Sequence, residues 1–515
     1  MIIKLERLAF INSFYTLMSK FSGYARDIFL AYYIGAGIYA DIFFMALKIP
    51  VAFKTLLSEE TFNAAYIPIF NKISASTHIK NKYFFSHQLI VGTILILTPI
   101  VVLIEIFMPN IITLFSKNIQ DPKMMSLFIK ASQIMFPYVV FIGISSVLIG
   151  TLNANGMFAL SASLPLLLNI SIIFSCFLFP VVPIDKITIL SWAVIFGCGI
   201  QILALIYTLR GSFFIDLYKN LFNLKSDYTL IKNFLVLLWP TLLASCLIFL
   251  NIIFGIFIAS KDVGGVSLLF YSERIYYFPL TLIGISIGIV LLPIISTSKI
   301  LNDIKAIQLL QHKAYRYCVI FIFPIALVLV FYSKDIISLF FYRGVFDLVS
   351  VTKCSLALNL YLLGLPSAVI VKMLIPYFYA IRKPKIVLKT IAQSTFCCII
   401  STLILYSKIG FLAVPLALSI SSWVNVFLLI RVHEKSKSFM LNSFLVKYTL
   451  KSIVFALFLF CFLSVINYSV SNYILNDIYR IIFELLLILP LVVFFLYKME
   501  NVIYRKTISL LRNLF

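Results

Sequence analysis

The chain has 515 residues, 62% of them hydrophobic and only 12% charged, and its mean hydropathy is +1.07. A soluble globular protein is nearer half apolar and a quarter charged, so surface of this kind takes lipid as its solvent and a soluble enzyme or binding module is excluded. The net charge of +23, from 42 Lys+Arg against 19 Asp+Glu, would suggest nucleic acid in a soluble protein; here no soluble domain carries such a site, and no nucleic-acid partner is expected.

In hydrocarbon the backbone must satisfy its own polar groups, so long apolar runs can only be helices, each needing about 20 residues to span. Span 1, about 8–34, follows Lys4 and Arg7 as a signal peptide would. It then meets Lys20, Arg26 and Asp27 and has no small-residue cleavage site, so it reads as an uncleaved first span. Lys20 and Asp27 are seven apart and share a helical face. Span 2, about 38–70, begins near Asp41, carries Lys48, Lys54, Glu59 and Glu60, and contains Pro50 and Pro68. Span 3, about 86–109, is followed by span 4, about 128–152, with Pro137 in MFPYVV. Spans 5 to 7 fall at about 158–180, 188–209 and 233–258. Span 8, about 266–297, holds the adjacent Glu273 and Arg274 and two prolines, Pro279 and Pro293. Span 9 covers about 315–341, and span 10, about 352–381, contains Pro366 and Lys372. Spans 11 to 14 are placed at about 386–407, 410–431, 449–468 and 478–498. Glu105 and Glu484 are isolated near span ends and are assigned no role. The expected fold is an all-α polytopic membrane protein of about fourteen transmembrane helices.

Loop charge tests that count. With the N-terminus inside, the cytoplasmic connections hold Lys72, Lys80 and Lys82; Arg210, Lys219, Lys225 and Lys232; Lys299, Lys305, Lys313 and Arg316; Arg382, Lys383 and Lys385; and Arg431, Lys435, Lys437 and Lys447. The tail adds Lys498, Arg505, Lys506 and Arg512. The opposite loops are sparse, with Lys117 and Lys123, Lys186, Lys261, Lys334 and Arg343, Lys408, and Arg480. Only the cytoplasmic loop Asn153–Met157 lacks a basic residue. The alternation predicts both termini on the cytoplasmic side.

Proline positions in spans 2 and 8, and in spans 4 and 10, suggest two parallel six-span halves. The expected division is 1–220 for spans 1–6, 221–435 for spans 7–12, and 436–515 for spans 13–14 and a cytoplasmic tail. Ionisable side chains inside the spans concentrate in spans 1, 2, 8 and 10, two from each half. Each costs several kcal/mol at mid-membrane and so faces a partner or a cavity. The simplest expectation is one central cavity lined by both halves. Its deeper charges lean positive (Lys20, Arg26, Lys48, Lys54, Arg274 and Lys372), which favours an anion, and guanidinium suits phosphate oxygens. Plainer roles stand beside this one: snorkelling for Lys48 and Lys54, an ion pair of Asp27 with Lys20 or Arg26, a helix cap for Asp41, solvation for Glu59 and Glu60, and a structural pair of Glu273 with Arg274.

Other chemistry is missing from the pattern. There is no GxxxxGK[ST] phosphate loop and no GxSxG elbow. The four histidines are scattered without metal spacing. The eight cysteines lie mostly in apolar runs, without CxxC, and read as packing residues. No catalysis, cofactor or metal is expected.

The stretch MSKFSGYARDIFLAYYIGAGIYADIFFMALKIP, Met18 to Pro50, resembles the opening of the MurJ (MviN) family of lipid II flippases, within the exporter superfamily that also holds multidrug and polysaccharide flippases. Further matching stretches follow in family order: Phe62 to Phe70, LLNIS at Leu167 to Ser171, YSERIYYFP at Tyr271 to Pro279, and VKMLIPYFYA at Val371 to Ala380. The resemblance implies two six-helix lobes plus two C-terminal helices in a bacterial inner membrane. It implies transport of lipid II, the undecaprenyl diphosphate-linked peptidoglycan precursor, from the cytoplasmic to the periplasmic leaflet by alternating access. It further implies substrate-binding roles for Arg26, Asp41 and Arg274, with Lys20 and Lys54 standing where the family usually has arginine. Asp27, Glu273, Lys48 and Lys372 are candidate supporting residues. Tyr277 stands where some members have a glutamate, and that role is not carried over. Membrane lipids and other cell-wall synthesis proteins are the remaining partners to consider. Rival expectations are a flippase for another polyprenyl-linked glycan, a cation-coupled drug exporter, a major-facilitator carrier and a membrane scaffold. The basic cavity disfavours the exporter, the loop KISASTHIKNKY lacks the facilitator pattern, and mid-membrane charge argues against a scaffold.

Overall fold

A computed structural model of the chain describes residues 2–56, 62, 66–67, 69–73, 81–116, 118–209, 228–300, 303–381, 383–435, 439, 442–470 and 477–512. Glu59, Glu60 and Pro68, and the loop residues Lys80, Lys117, Arg210, Lys219, Lys225, Arg382 and Lys437, lie outside them. Among the described residues there is no strand, and helix falls on every one of the fourteen predicted segments. Spans 1 to 3 are Ile2–Ile34, Ile38–Leu56 and Asn81–Ile106. Span 4 is Pro122–Met135 plus Tyr138–Ala154, and spans 5 to 7 are Phe158–Cys176, Lys186–Leu209 and Tyr228–Ala259. Span 8 joins Gly265–Pro279 to Ser286–Ile300 through a π-helical turn, Leu280–Ile285. Span 9 is Ile304–Phe331 with Ser333–Phe341, and span 10 is Leu348–Leu363 with Leu365–Ala380. Spans 11 to 14 are Pro384–Ile409, Ala413–Lys435, Ser443–Val470 and Asp477–Arg512. By length and composition, eight described helices can cross a membrane, or nine when the two parts of span 10 count as one. One of the eight, Pro384–Glu434, runs through spans 11 and 12. The protein is a polytopic helical membrane protein.

The chain divides into two compact units. The first is Met1–Tyr271 with Phe341–Ser350 and Thr402–Val414; the second is Ser272–Phe340 with Val351–Ser401 and Pro415–Phe515. In the first unit, span 5 packs between spans 1 and 6, and span 4 packs against spans 3 and 6. Tyr66 is fully buried and its hydroxyl meets Ser86 Oγ and Thr151 Oγ1 (2.5 and 2.7 Å), tying spans 2, 3 and 4 through a polar knot inside an aromatic cluster. In the second unit, span 9 packs on span 13, span 13 on span 14, and the latter half of span 10 on the latter half of span 8.

The proline pattern has a structural counterpart. Pro50 and Pro279 are 229 residues apart, and so are Pro137 and Pro366. Spans 4 and 10 are both interrupted at their shared proline position, span 10 by a bend of 41° at Gly364. A break inside the membrane frees carbonyls that neighbours must satisfy. Here span 12 does so. Ser419 Oγ donates to Leu360 O (2.6 Å), and Trp423 Nε1 donates to Leu363 O (3.0 Å). Span 12 approaches so closely that a Cβ on Gly364 would stand 2.7 Å from Ser419 Cα. Gly364→Ala must therefore push backbone from backbone. Overpacking of this kind costs about 1–3 kcal/mol. Thermal unfolding of the purified protein should show that loss, whereas an alanine at Gly37, which has open space around it, should be nearly silent.

Candidate functional site

The first unit gathers most of the predicted residues. Arg26 is buried on span 1 and its guanidinium is fully engaged: Nε and Nη2 donate to Asp27 Oδ1 (2.9 and 2.6 Å), and Nη1 donates to Asn169 Oδ1 on span 5 (3.0 Å). Asp27 is wholly buried. Asn169 uses its other end to donate to Ser22 Oγ (2.9 Å) and Ser19 O (3.3 Å). The result is a charged knot that ties span 5 to span 1, with the cation lying 6.0 Å over the Phe270 ring. Lys48, half-buried on span 2, lies over the same ring at 5.7 Å. Lys20 is half-buried on span 1.

Asp41 is also buried, and it caps a helix, though not its own. Its Oδ2 accepts from Gly264 N–H (2.6 Å) and its Oδ1 from Ser267 N–H (2.8 Å), the first turn of span 8, more than 220 residues further along the chain. The four leading N–H groups of a helix have no internal acceptor, and a cap residue with an acceptor side chain normally supplies one. Span 8 begins at Gly264–Gly265, where neither residue offers one. Gly264 has φ +79°, a conformation that disfavours the usual capping side chains. The carboxylate of span 2 takes over, adding a negative charge at the positive end of the helix dipole. Nearby, Phe44 stacks on Phe270 at 4.0 Å, and Tyr271 OH donates to Gly35 O (3.2 Å). The opening of span 8 is thereby locked to spans 1 and 2.

Lys54 is exposed. It borders a cavity of about 60 Å³ with Tyr138 and Ser145 of span 4, Leu168 of span 5 and Gln201 of span 6.

The second unit holds the others. Glu273 and Lys372 line one cavity of about 240 Å³ with Tyr277, Tyr361, Ser421 and Asn425, drawn from spans 8, 10 and 12. Tyr361 OH donates to Glu273 Oε1 (3.0 Å). Arg274 follows Glu273 on the same helix and is half-buried. The two cavities are borders of corresponding spans: 2, 4, 5 and 6 in the first unit, 8, 10, 11 and 12 in the second. Glu484, assigned no role from sequence, is fully buried on span 14 and accepts from Tyr332 OH of span 9. Among the described residues, no group of acids, histidines and cysteines has the arrangement of a metal site.

Sequence reading did not find Asn169, although it lies in LLNIS, nor Tyr361 and Asn425. An amide in the middle of an apolar run is a detectable signal in the first and last cases. Tyr361 carries none, because tyrosine is abundant throughout the chain.

A family model described as lipid II flippase MurJ matches residues 30–486. The chain belongs to this family. A probable lipid II flippase MurJ of Buchnera aphidicola subsp. Schizaphis graminum is 29% identical over 484 residues, covering 92% of each chain. The lipid II flippase MurJ of Burkholderia cenocepacia is 29% identical over 420 residues, 81% of each. A solved structure of lipid II flippase MurJ, in an inward closed conformation, matches with a TM-score of 0.78 at 25% identity, covering 97% of this chain and all of that one. MurJ membership accounts for the polytopic helical fold and implies a bacterial inner membrane.

Proposed function

We propose that the protein is a lipid II flippase, moving the undecaprenyl diphosphate-linked peptidoglycan precursor from the cytoplasmic to the periplasmic leaflet by alternating access. The observation that carries this reading is the family match over residues 30–486. Both termini lie in the cytoplasm on this reading, in keeping with the basic loops on that side. Lipid II is the partner, with the surrounding lipids. Contacts with other cell-wall synthesis proteins belong to the same proposal.

The diphosphate is bound by Arg26 and Arg274, with Lys20 and Lys54 adding charge; Lys48 supports them. The geometry at Arg26 supports an exchange mechanism. Asp27 already occupies two of its donors in the planar fork that a phosphate would use. An incoming diphosphate replaces one anion by another at the same donors, so the guanidinium is never left bare in low dielectric. Asp41 acts at a distance from the anion, by fixing the start of the helix that carries Arg274. The polyprenyl tail stays in lipid, and spans 13 and 14 offer it a groove.

The empty carrier is more positive than the loaded one. An inside-negative potential acts on it with about 2.3 kcal/mol per charge per 100 mV and draws the empty site inward. Two vesicle experiments test this. Purified protein should expose lipid II at the opposite leaflet, and Arg274→Ala should slow the rate by at least about tenfold, as expected for one lost charge-assisted contact. Clamping the potential to zero should slow turnover of the wild type; unchanged turnover rejects the potential-driven return.

A further inference from the structure

The cavity of the second unit carries chemistry that a diphosphate does not use. At about 240 Å³ it lies below the range of pockets that take a drug-sized molecule, so it holds one residue-sized group and not a whole glycopeptide. Three of its features point to the nature of that group. Lys372 presents an exposed ammonium to it, and no ion-pair or hydrogen-bond partner for that ammonium occurs among the described residues. Asn425 is buried, and its Oδ1 has no hydrogen-bond donor. Glu273 supplies a carboxylate, held by the Tyr361 hydroxyl.

Each feature selects a complement. The ammonium calls for a carboxylate. The amide oxygen of Asn425 calls for an N–H, because a buried acceptor without a donor is costly. Glu273 lines the cavity with a carboxylate, which can accept an N–H and repels a phosphate. A neutral sugar satisfies the amide and the acid but leaves the lysine uncompensated. A phosphate satisfies the lysine and clashes with the acid. A group carrying both a carboxylate and N–H donors satisfies all three.

We propose that this cavity is a subsite for the charged end of a short peptide, its carboxylate on Lys372 and its N–H groups on Asn425 Oδ1 and Glu273. That the peptide belongs to the head group of the transported lipid rests on the flippase reading. A free peptide has the same chemistry, and the test separates the two.

The test measures binding to the full-length protein in nanodiscs with three probes: a polyprenyl diphosphate disaccharide bearing its peptide, the same lipid without the peptide, and the free peptide. The wild type should prefer the peptide-bearing lipid. Lys372→Gln should reduce that preference by about tenfold or more, the scale of one charge-assisted hydrogen bond. Lys372→Arg should restore most of it, and Asn425→Leu should also reduce it. The peptide-free lipid doubles as the folding control for each variant. Equal losses on both lipids, or no wild-type preference, would overturn the peptide subsite and leave the flippase reading intact. Failure of the wild type to bind either lipid would count against the flippase reading itself. Displacement of the peptide-bearing lipid by free peptide at comparable concentration would keep the subsite but overturn its assignment to a lipid-linked source.

Discussion

Arg26→Ala is expected to be the most damaging single substitution in the first unit. It removes the guanidinium that pairs with the fully buried Asp27, and it takes away the donor to Asn169 Oδ1. Removing one partner of a buried ion pair costs about 3–5 kcal/mol, a large part of the stability of a typical domain. Denaturant or thermal unfolding of the purified protein should show a loss of that size. The double variant Arg26→Leu with Asp27→Leu separates structure from binding, because replacing both charges by apolar side chains is often neutral for stability. The double variant should recover most of the lost stability and still fail to transport. If it transports at the wild-type rate, Arg26 is a structural group and the diphosphate is held elsewhere.

Asp41→Ala comes next. It removes the acceptors of Gly264 N–H and Ser267 N–H together. Leaving a buried donor unsatisfied costs about 1–3 kcal/mol each, so a loss of about 2–6 kcal/mol is expected for the two, concentrated at the first turn of span 8. Amide hydrogen exchange reads it locally: residues 264–268 should lose protection in Asp41→Ala. Asp41→Asn, which keeps one acceptor oxygen but not the charge, should fall between that variant and the wild type. Unchanged exchange over these residues would show that the cap does not hold the helix start.

The spans were legible because apolar length alone dictates a membrane helix, and every predicted segment carries helix. The candidate charges were legible because an ionisable group in such a run is conspicuous. Their partners were legible only in part. An ion pair of Asp27 with Lys20 or Arg26 is expected from sequence, and the Arg26–Asp27 pair is present; that adjacent residues make it depends on side-chain reach, because neighbours on a helix do not face one another as a rule. A capping role for Asp41 is legible, yet what it caps is two backbone N–H groups far along the chain, and backbone groups leave no trace in sequence. Pro366 marked a break in span 10. That Ser419 and Trp423 satisfy the freed carbonyls follows only from the packing of span 12. The polar cavities likewise depend on four spans each meeting in space.

The most direct measurement of function is the leaflet accessibility of lipid II in cells depleted of their own flippase and supplied with this protein. An enzyme acting only in the periplasm, and cleaving exposed lipid II, reports what has crossed. The flippase reading predicts cleavage product with the wild type and a sharp fall with Arg274→Ala at equal membrane abundance. Abundant wild-type protein with lipid II still confined to the cytoplasmic leaflet would contradict it, and would direct attention to another polyprenyl-linked glycan as the cargo.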